Sequence, residues 1–364
     1  MRAWQKSGFK NLPQGWEIVR LGDIGKIYQP KTISQAEFTQ DGYLVYGANG
    51  VIGRYSDYNH EHEQIAVACR GNTCGVVNFT KPKSWITGNA MVVNLDDSVR
   101  ANKLFIYFLL SRMSFDYLIT GSGQPQITSV IKSHKLPLPP LKEQEKIAEI
   151  LNLWDAQIAE VQDLIYHKQR LKTGLMQKLF TQSLRLKGFA ESWSKVRLGD
   201  ITEIKRGQTI TEATRIDGDI PVIAGGKQPA YFCDRYNRTG ENITISSSGT
   251  AGFVNYFATP IFASDCFTIQ GLEKLATTKY LYYYLKSIQN KIYSLQSGSV
   301  QTHVYPSDME GMRLPLPSLK EQEKIAEILS VADEEIELLV QKHQALETQK
   351  RALMQRLLTG KVRV

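Results

Sequence analysis

Sixteen residues of this chain are written twice. "LPLPPLKEQEKIAEIL" runs from Leu136 to Leu151, and "LPLPSLKEQEKIAEIL" runs from Leu314 to Leu329, 178 residues later. The copies differ only at Pro140 and Ser318. The duplication extends over the whole chain in weaker form. "WEIVRLGDIGKI" from Trp16 matches "WSKVRLGDITEI" from Trp193, and "QIAVACRGNTCGVVNF" from Gln64 matches "NITISSSGTAGFVNYF" from Asn242. "NKLFIYFLLSRMSFDYL" from Asn102 resembles "TKYLYYYLKSIQNKIYSL" from Thr278, and "GLMQKLFT" from Gly174 resembles "ALMQRLLT" from Ala352. So long a period excludes a solenoid. The chain is two tandem copies of one globular body and one connector: bodies at 1–140 and 181–318, connectors at 141–180 and 319–364.

The connector begins with Leu-Pro-Leu-Pro, which cannot be helical, because each proline lacks an N–H and holds the preceding residue extended. A helix starts just after. Ser318 with Glu321 predicts a capping box in the second copy; Pro140 takes that place in the first. Apolar residues then recur at alternating intervals of four and three: Ile147, Leu151, Trp154, Ile158, Val161 and Ile165, and in the second copy Ile325, Leu329, Ala332, Ile336, Leu339 and Leu346. This is coiled-coil spacing, interrupted by Lys168 and His343. About 38 residues of helix span about 57 Å. The carboxylates of "EQEKIAE" and "DEEIE" read as solvated faces. The first helix leaves body one and the second leaves body two, so the two pair antiparallel. The expected architecture is α+β: two tandem α/β bodies separated by two long antiparallel coiled-coil helices, with pseudo-twofold symmetry.

The formal net charge of +8 is unevenly placed. Residues 1–140 carry 15 basic and 10 acidic side chains, and residues 181–318 carry 15 and 12. Both connectors are neutral. Two basic bodies on neutral connectors suggest a polyanion touched at two places. No P-loop, Gly-x-Gly-x-x-Gly fingerprint, Gly-x-Ser-x-Gly elbow, zinc-binding His pair or methyltransferase Asp/Asn-Pro-Pro-Tyr stretch is present, and no catalytic residue is expected. Cys69, Cys74, Cys233 and Cys266 form no Cys-x-x-Cys pair; they read as reduced thiols, with no metal site. No apolar run reaches a membrane span and the N-terminus has no signal-like apolar region, which together predict a cytoplasmic protein.

Candidate DNA contacts lie in the Gly-, Asn- and Arg-rich turns. In the first body these are Asn49, Arg54 and Tyr55, then Arg70 and Asn72, then Gln124 and Gln126 in "GSGQPQ". In the second they are Lys227, Gln228, Arg235 and Ser247, then Gln301 and His303 in "SGSVQTH". Backbone N–H groups in such loops suit phosphate, while a glutamine can meet adenine through two hydrogen bonds.

Two diverged halves that each open with Trp-x-x-Val-Arg-Leu-Gly-Asp-Ile, each followed by a Pro-Leu-Pro-x-Leu-x-Glu-Gln-x-x-Ile-Ala-x-Ile-Leu helix, resemble the specificity subunit of Type I restriction–modification systems over essentially the entire chain. The resemblance implies that 1–140 and 181–318 are target-recognition domains, each reading one half of a bipartite site in double-stranded DNA. It also implies that the helices, whose spacing sets a partner-helix seam at Ile147, Leu151, Trp154, Ile158, Ile325, Leu329, Ile336 and Leu339, are a spacer that binds two methyltransferase subunits. Two restriction/translocase subunits would join them. S-adenosylmethionine, and ATP with magnesium, are then expected on those partners, with no cofactor and no catalysis on this chain.

Overall fold

The chain divides into two units: residues 1–161 together with 342–364, and the continuous stretch 162–341. The computed structural model describes residues 2–121, 123–211, 216–298 and 302–364. The first unit contains β1 (Glu17–Arg20), β2 (Lys26–Tyr28), β3 (Tyr43–Gly47), β4 (Gly50–Tyr55), β5 (Ile65–Ala68), β6 (Val77–Phe79), β7 (Ser84–Ile86), β8 (Ala90–Asn94) and β9 (Lys135–Leu138). They form sheets ordered β2-β8-β5-β6, β4-β3-β7 and β1-β9. The second unit contains β10 (Ser194–Arg197), β11 (Thr202–Arg206), β12 (Ile220–Ile223), β13 (Tyr231–Cys233), β14 (Asn242–Ser246), β15 (Val254–Phe257), β16 (Phe262–Ala263), β17 (Cys266–Gly271) and β18 (Arg313–Leu316). Their sheets are β11-β17-β14-β15, β13-β12-β16 and β10-β18, the same topology strand for strand. Pairing is antiparallel except between β3 and β7 and between β12 and β16. The bodies diverged in sequence while keeping one architecture.

The repeated proline run is a strand. Residues Lys135–Leu138 pair with Glu17–Arg20, setting Pro137 opposite Ile18, and Pro315 lies opposite Lys195 in the second unit. Proline cannot donate to a ladder, so it is tolerated in these two-stranded sheets, where each strand has a free edge.

A short helix covers each larger sheet: α1 (Lys103–Leu110) and, in the second unit, α3 (Thr278–Ser287); the long connectors are α2 (Leu141–Phe180) and α4 (Leu319–Leu357). Asn102 and Thr277 cap the short helices by accepting from the N–H three residues on. The first core gathers Ile65, Val93, Phe105 and Leu109 around Ile147 and Leu151 at the start of α2, and Met354, Leu357 and Leu358 at the end of α4 close it. The second gathers Ile243, Phe267, Tyr280 and Leu281 around Ile325 and Leu329, closed by Met176, Leu179 and Phe180. The first turns of the predicted seam are therefore body core as much as helix seam. Trp154, Ile158, Ile336 and Leu339, further along, are half-buried.

Within each unit the two helix segments run antiparallel. In the first, Asp155 of α2 pairs with Lys350 of α4, whose ammonium lies 5.1 Å from the Phe108 ring centre. In the second, Lys172 pairs with Asp333 and lies 5.3 Å from the Tyr283 ring centre. These are one interaction written twice, since Asp155 repeats as Asp333 and Lys172 as Lys350. Lys168 reaches Glu335 at 2.6 Å, so this polar interruption of the seam is an ion pair.

Two expectations about the repeated segment need correction. Glu143 and Glu321 do not lie on a solvated face; they are 6% and 1% exposed. Glu143 accepts from the Trp16 indole at 3.2 Å and from the Arg363 guanidinium, with Nη2 at 2.8 Å. Glu321 accepts from Trp193 at 2.9 Å and from Arg185 at 3.1 and 3.2 Å. The capping box at Ser318 is also not what forms, because the Glu321 carboxylate is taken by these two donors. The neighbouring glutamines are buried too. Gln144 accepts from the Asn102 N–H and donates to the carbonyls of Arg100 and Pro139; Gln322 accepts from the Thr277 N–H and donates to those of Leu275 and Pro317. Each Glu-Gln pair ties a long helix to its body. Helical periodicity marks both residues as polar, but not that a tryptophan and an arginine far along the chain fold over them.

Candidate nucleic-acid interface

In the first unit, chain reversal after β5 forms a loop at 69–75 whose Gly71 has φ +74°, a conformation that favours glycine. Residues 120–121 and 123–127 lie along it. Ile127 donates to the Cys69 carbonyl and Gly71 to the Pro125 carbonyl, both at 3.0 Å, while Thr120 and Gln126 exchange two hydrogen bonds of 2.9 Å. Two motifs more than 50 residues apart in the chain thus form one platform, on which Arg70 and Gln126 are antiparallel bridge partners. Arg70, Asn72, Gln124 and Gln126 are all exposed. None of the four side chains hydrogen-bonds to another described residue.

The remaining first-unit candidates sit on the β3–β4 hairpin. Asn49 is exposed in its two-residue turn, before Gly50 at φ +90°. Arg54 is exposed, but its Nη1 donates to the Gly42 carbonyl at 2.7 Å. Tyr55 is half-buried, with its ring edge-on to Trp85 at 5.1 Å. The structure employs Arg54 and Tyr55 internally and leaves Asn49 open.

The second unit builds the same platform with different side chains. Val304 donates to the Ser247 carbonyl at 3.2 Å, and Ser297 and His303 exchange bonds of 3.0 and 2.8 Å. Ser248, aligned with Arg70, gives its hydroxyl to Asp265. Thr250, aligned with Asn72, gives its hydroxyl and its N–H to the Gly225 carbonyl at 2.7 and 2.8 Å. Those bonds bring in the 224–230 loop, where Lys227 and Gln228 are exposed. His303 is half-buried and stacked on Tyr305 at 6.0 Å. Arg235 is exposed after β13, and Gln301 lies outside the described residues.

Sequence reasoning missed Lys286 and Phe253. The Lys286 ammonium lies 4.3 Å and that of Lys227 5.7 Å from the centre of the same Phe253 ring. Burial pushes the pKa of Lys286 down, the nearby charges of Lys172 and Lys227 add to this, and Asp333 opposes it. The available signal was divergence: where the α1 and α3 sequences are aligned at their caps, Lys286 stands opposite Ser111. Among the described residues no cluster of His, Cys, Asp and Glu is arranged to hold a metal ion. The four cysteines are free thiols. No described helix is long and apolar enough to cross a membrane.

Residues 13–165 and 190–348 match the family model of the Type I restriction modification DNA specificity domain. Over its full length the chain is 23% identical to the Type I restriction enzyme MjaVIII specificity subunit of Methanocaldococcus jannaschii, covering 98% of that protein. The crystal structure of a Type I restriction–modification S subunit from M. genitalium superposes with a TM-score of 0.74 at 20% identity, covering 96% of both chains. A second solved chain, from a study of complex assembly and conformational transition of the type I R-M system, gives 0.55 at 18% identity, covering 97% of this chain and all of that one. These two likenesses agree on the fold. With two copies of the same domain model spanning most of its length and one topology built twice, the chain belongs to the Type I restriction–modification DNA specificity family, as a non-catalytic specificity subunit.

Proposed function

We propose that each unit reads one half of a bipartite site in double-stranded DNA, and that the two long helices set the distance between the halves. The observation that carries this is one backbone platform built twice with different side chains: Arg70, Asn72, Gln124 and Gln126 in the first unit, Lys227, Gln228 and His303 in the second. A related frame carrying different side chains is what two different half-sites require. We further propose that the helices dock two adenine methyltransferase subunits, joined by two restriction/translocase subunits. Leu153 and Val331, equivalent under the repeat, are 62% and 60% exposed and give each helix the same apolar point of contact. S-adenosylmethionine, and ATP with magnesium, would be carried by those partners.

DNA binding tests the reading directly. The logarithm of affinity will fall linearly with the logarithm of salt concentration, because phosphate contacts release counterions. Lys227→Glu will weaken contacts at one half-site, seen by footprinting, and leave the other intact. Affinity that does not change with salt would count against DNA binding.

The spacer is tested separately. One heptad inserted into each long helix adds about 10 Å of helix, or about three base pairs at ~3.4 Å each. The methylated site will lengthen its spacer accordingly; an unchanged spacer means the helices are not the ruler.

A further inference from the structure

We infer that Arg70 and Gln126 act together as one reading pair, Arg70 on a guanine and Gln126 on an adenine one or two base pairs away. This rests on the proposal that the units read DNA, and it assigns part of what the first unit reads.

Geometry supplies the first argument. Arg70 and Gln126 are Cα partners in an antiparallel bridge, flanked by the bonds from Ile127 to Cys69 and from Gly71 to Pro125. Cross-strand partners point to the same face with Cβ atoms about 5 Å apart. That separation matches one to two base steps of ~3.4 Å. Four backbone hydrogen bonds fix the platform, so the side chains project from rigid support, as precise recognition requires.

Availability supplies the second. Both side chains are exposed, and neither has a hydrogen-bond or ion-pair partner among the described residues. Arg54 differs, since a carbonyl already occupies it. The guanidinium fork matches guanine O6 and N7 in the major groove, and a carboxamide matches adenine N6 and N7. Side by side, the two groups fit a guanine and an adenine better than either fits two phosphates, because the Gln126 carboxamide carries no charge.

The second unit sharpens the assignment. Its equivalents of Arg70 and Gln126 are Ser248 and His303. Ser248 is bound to Asp265, and no bridge joins the pair among the described residues. The guanine–adenine element therefore belongs to one half-site only, and the complete site is asymmetric at that point.

The test selects bound DNA from a randomised library, using the full chain with its methyltransferase partner. The wild type will enrich a bipartite consensus, one half of which holds a guanine and an adenine within two positions of each other. Arg70→Ala will lower affinity for that consensus on the order of 10- to 100-fold and relax the guanine position. Gln126→Ala will relax the adenine position. The other half will be unchanged in both variants, and both will melt at the wild-type temperature, since the two side chains are exposed. Equal weakening on every sequence with a shallower salt slope would make Arg70 a phosphate contact and overturn the pairing, while leaving DNA reading intact. A consensus with no such guanine–adenine neighbours would also overturn it. No consensus at all would sink the reading beneath it as well.

Discussion

Truncated after Gly188, the chain will form a twofold dimer in which two copies of the first unit complete each other. In the intact chain that unit is closed by residues 342–364. The closing residues are Lys350 on Asp155, Met354, Leu357 and Leu358 in the core, and Arg363 on Glu143. Under the repeat, α2 and the turn after it supply Lys172, Met176, Leu179, Phe180 and Arg185. Four of the five are identical, and Phe180 replaces Leu358. A second copy of the fragment can therefore place its own tail where the end of α4 normally lies. A monomer would instead expose the core facing that tail. At about 1.5–3 kcal/mol per large apolar side chain, three such residues at each of two joints amount to on the order of 10 kcal/mol per dimer. Light scattering should give the mass of two chains at micromolar concentration. Asp155→Lys will disrupt the dimer by facing Lys172 of the other copy, and adding Lys172→Asp will restore it with the charges exchanged. A well-folded monomer would overturn the self-complementary pairing. With methyltransferase partners, the dimer should mark a palindromic site built from the first half-site.

The repeat, the extended, non-helical proline run and the long helices were legible because each rests on local rules: proline has no N–H, and a seam has a period; that the run pairs as a strand with Glu17–Arg20 was not. The helices run Leu141–Phe180 and Leu319–Leu357, close to the length that the periodicity implies. The platform was only half legible. "RGNTCG" and "GSGQPQ" each read as turns with recognition chemistry, yet their meeting depends on hydrogen bonds between Cys69 and Ile127 and between Gly71 and Pro125, which no local pattern announces. Tyr55 read as a surface aromatic because the sequence does not show Trp85 beside it. Lys286 was hidden for the opposite reason, as an ordinary charge at the end of an amphipathic helix. Long-range partners decided each of these cases, and the buried Glu-Gln pairs most of all.

Replacing Arg185 by alanine will destabilise the second unit by about 3 kcal/mol, the typical cost of stranding one partner of a buried ion pair. Glu321 is 1% exposed, and without Arg185 its carboxylate retains, among the described residues, the Trp193 indole at 2.9 Å as its one side-chain donor. The arginine also lies 5.5 Å from the Trp193 ring centre and donates to the Glu191 carbonyl at 2.9 Å. For a unit of this size, about 3 kcal/mol lowers the melting temperature by about 6–12 °C. Arg363→Ala, the same change in the first unit, will have a smaller effect, because Arg363 is more exposed (44% against 28%) and the carboxylate it leaves keeps more water. Adding Glu321→Gln to Arg185→Ala will recover most of the loss: the charge that cannot be solvated is gone, and an acceptor for Trp193 remains. Calorimetry of the single and double variants decides the matter. No recovery in the double variant would mean that the arginine acts through packing on Trp193 rather than through charge. Recovery would bear on why the chain repeats sixteen residues so closely. A surface shared with two identical partners constrains only the exposed positions of the segment, such as Lys142, Glu145 and Lys146 with their repeats. The buried Glu-Gln pair is constrained from within, by a tryptophan, an arginine and a helix cap that are themselves duplicated.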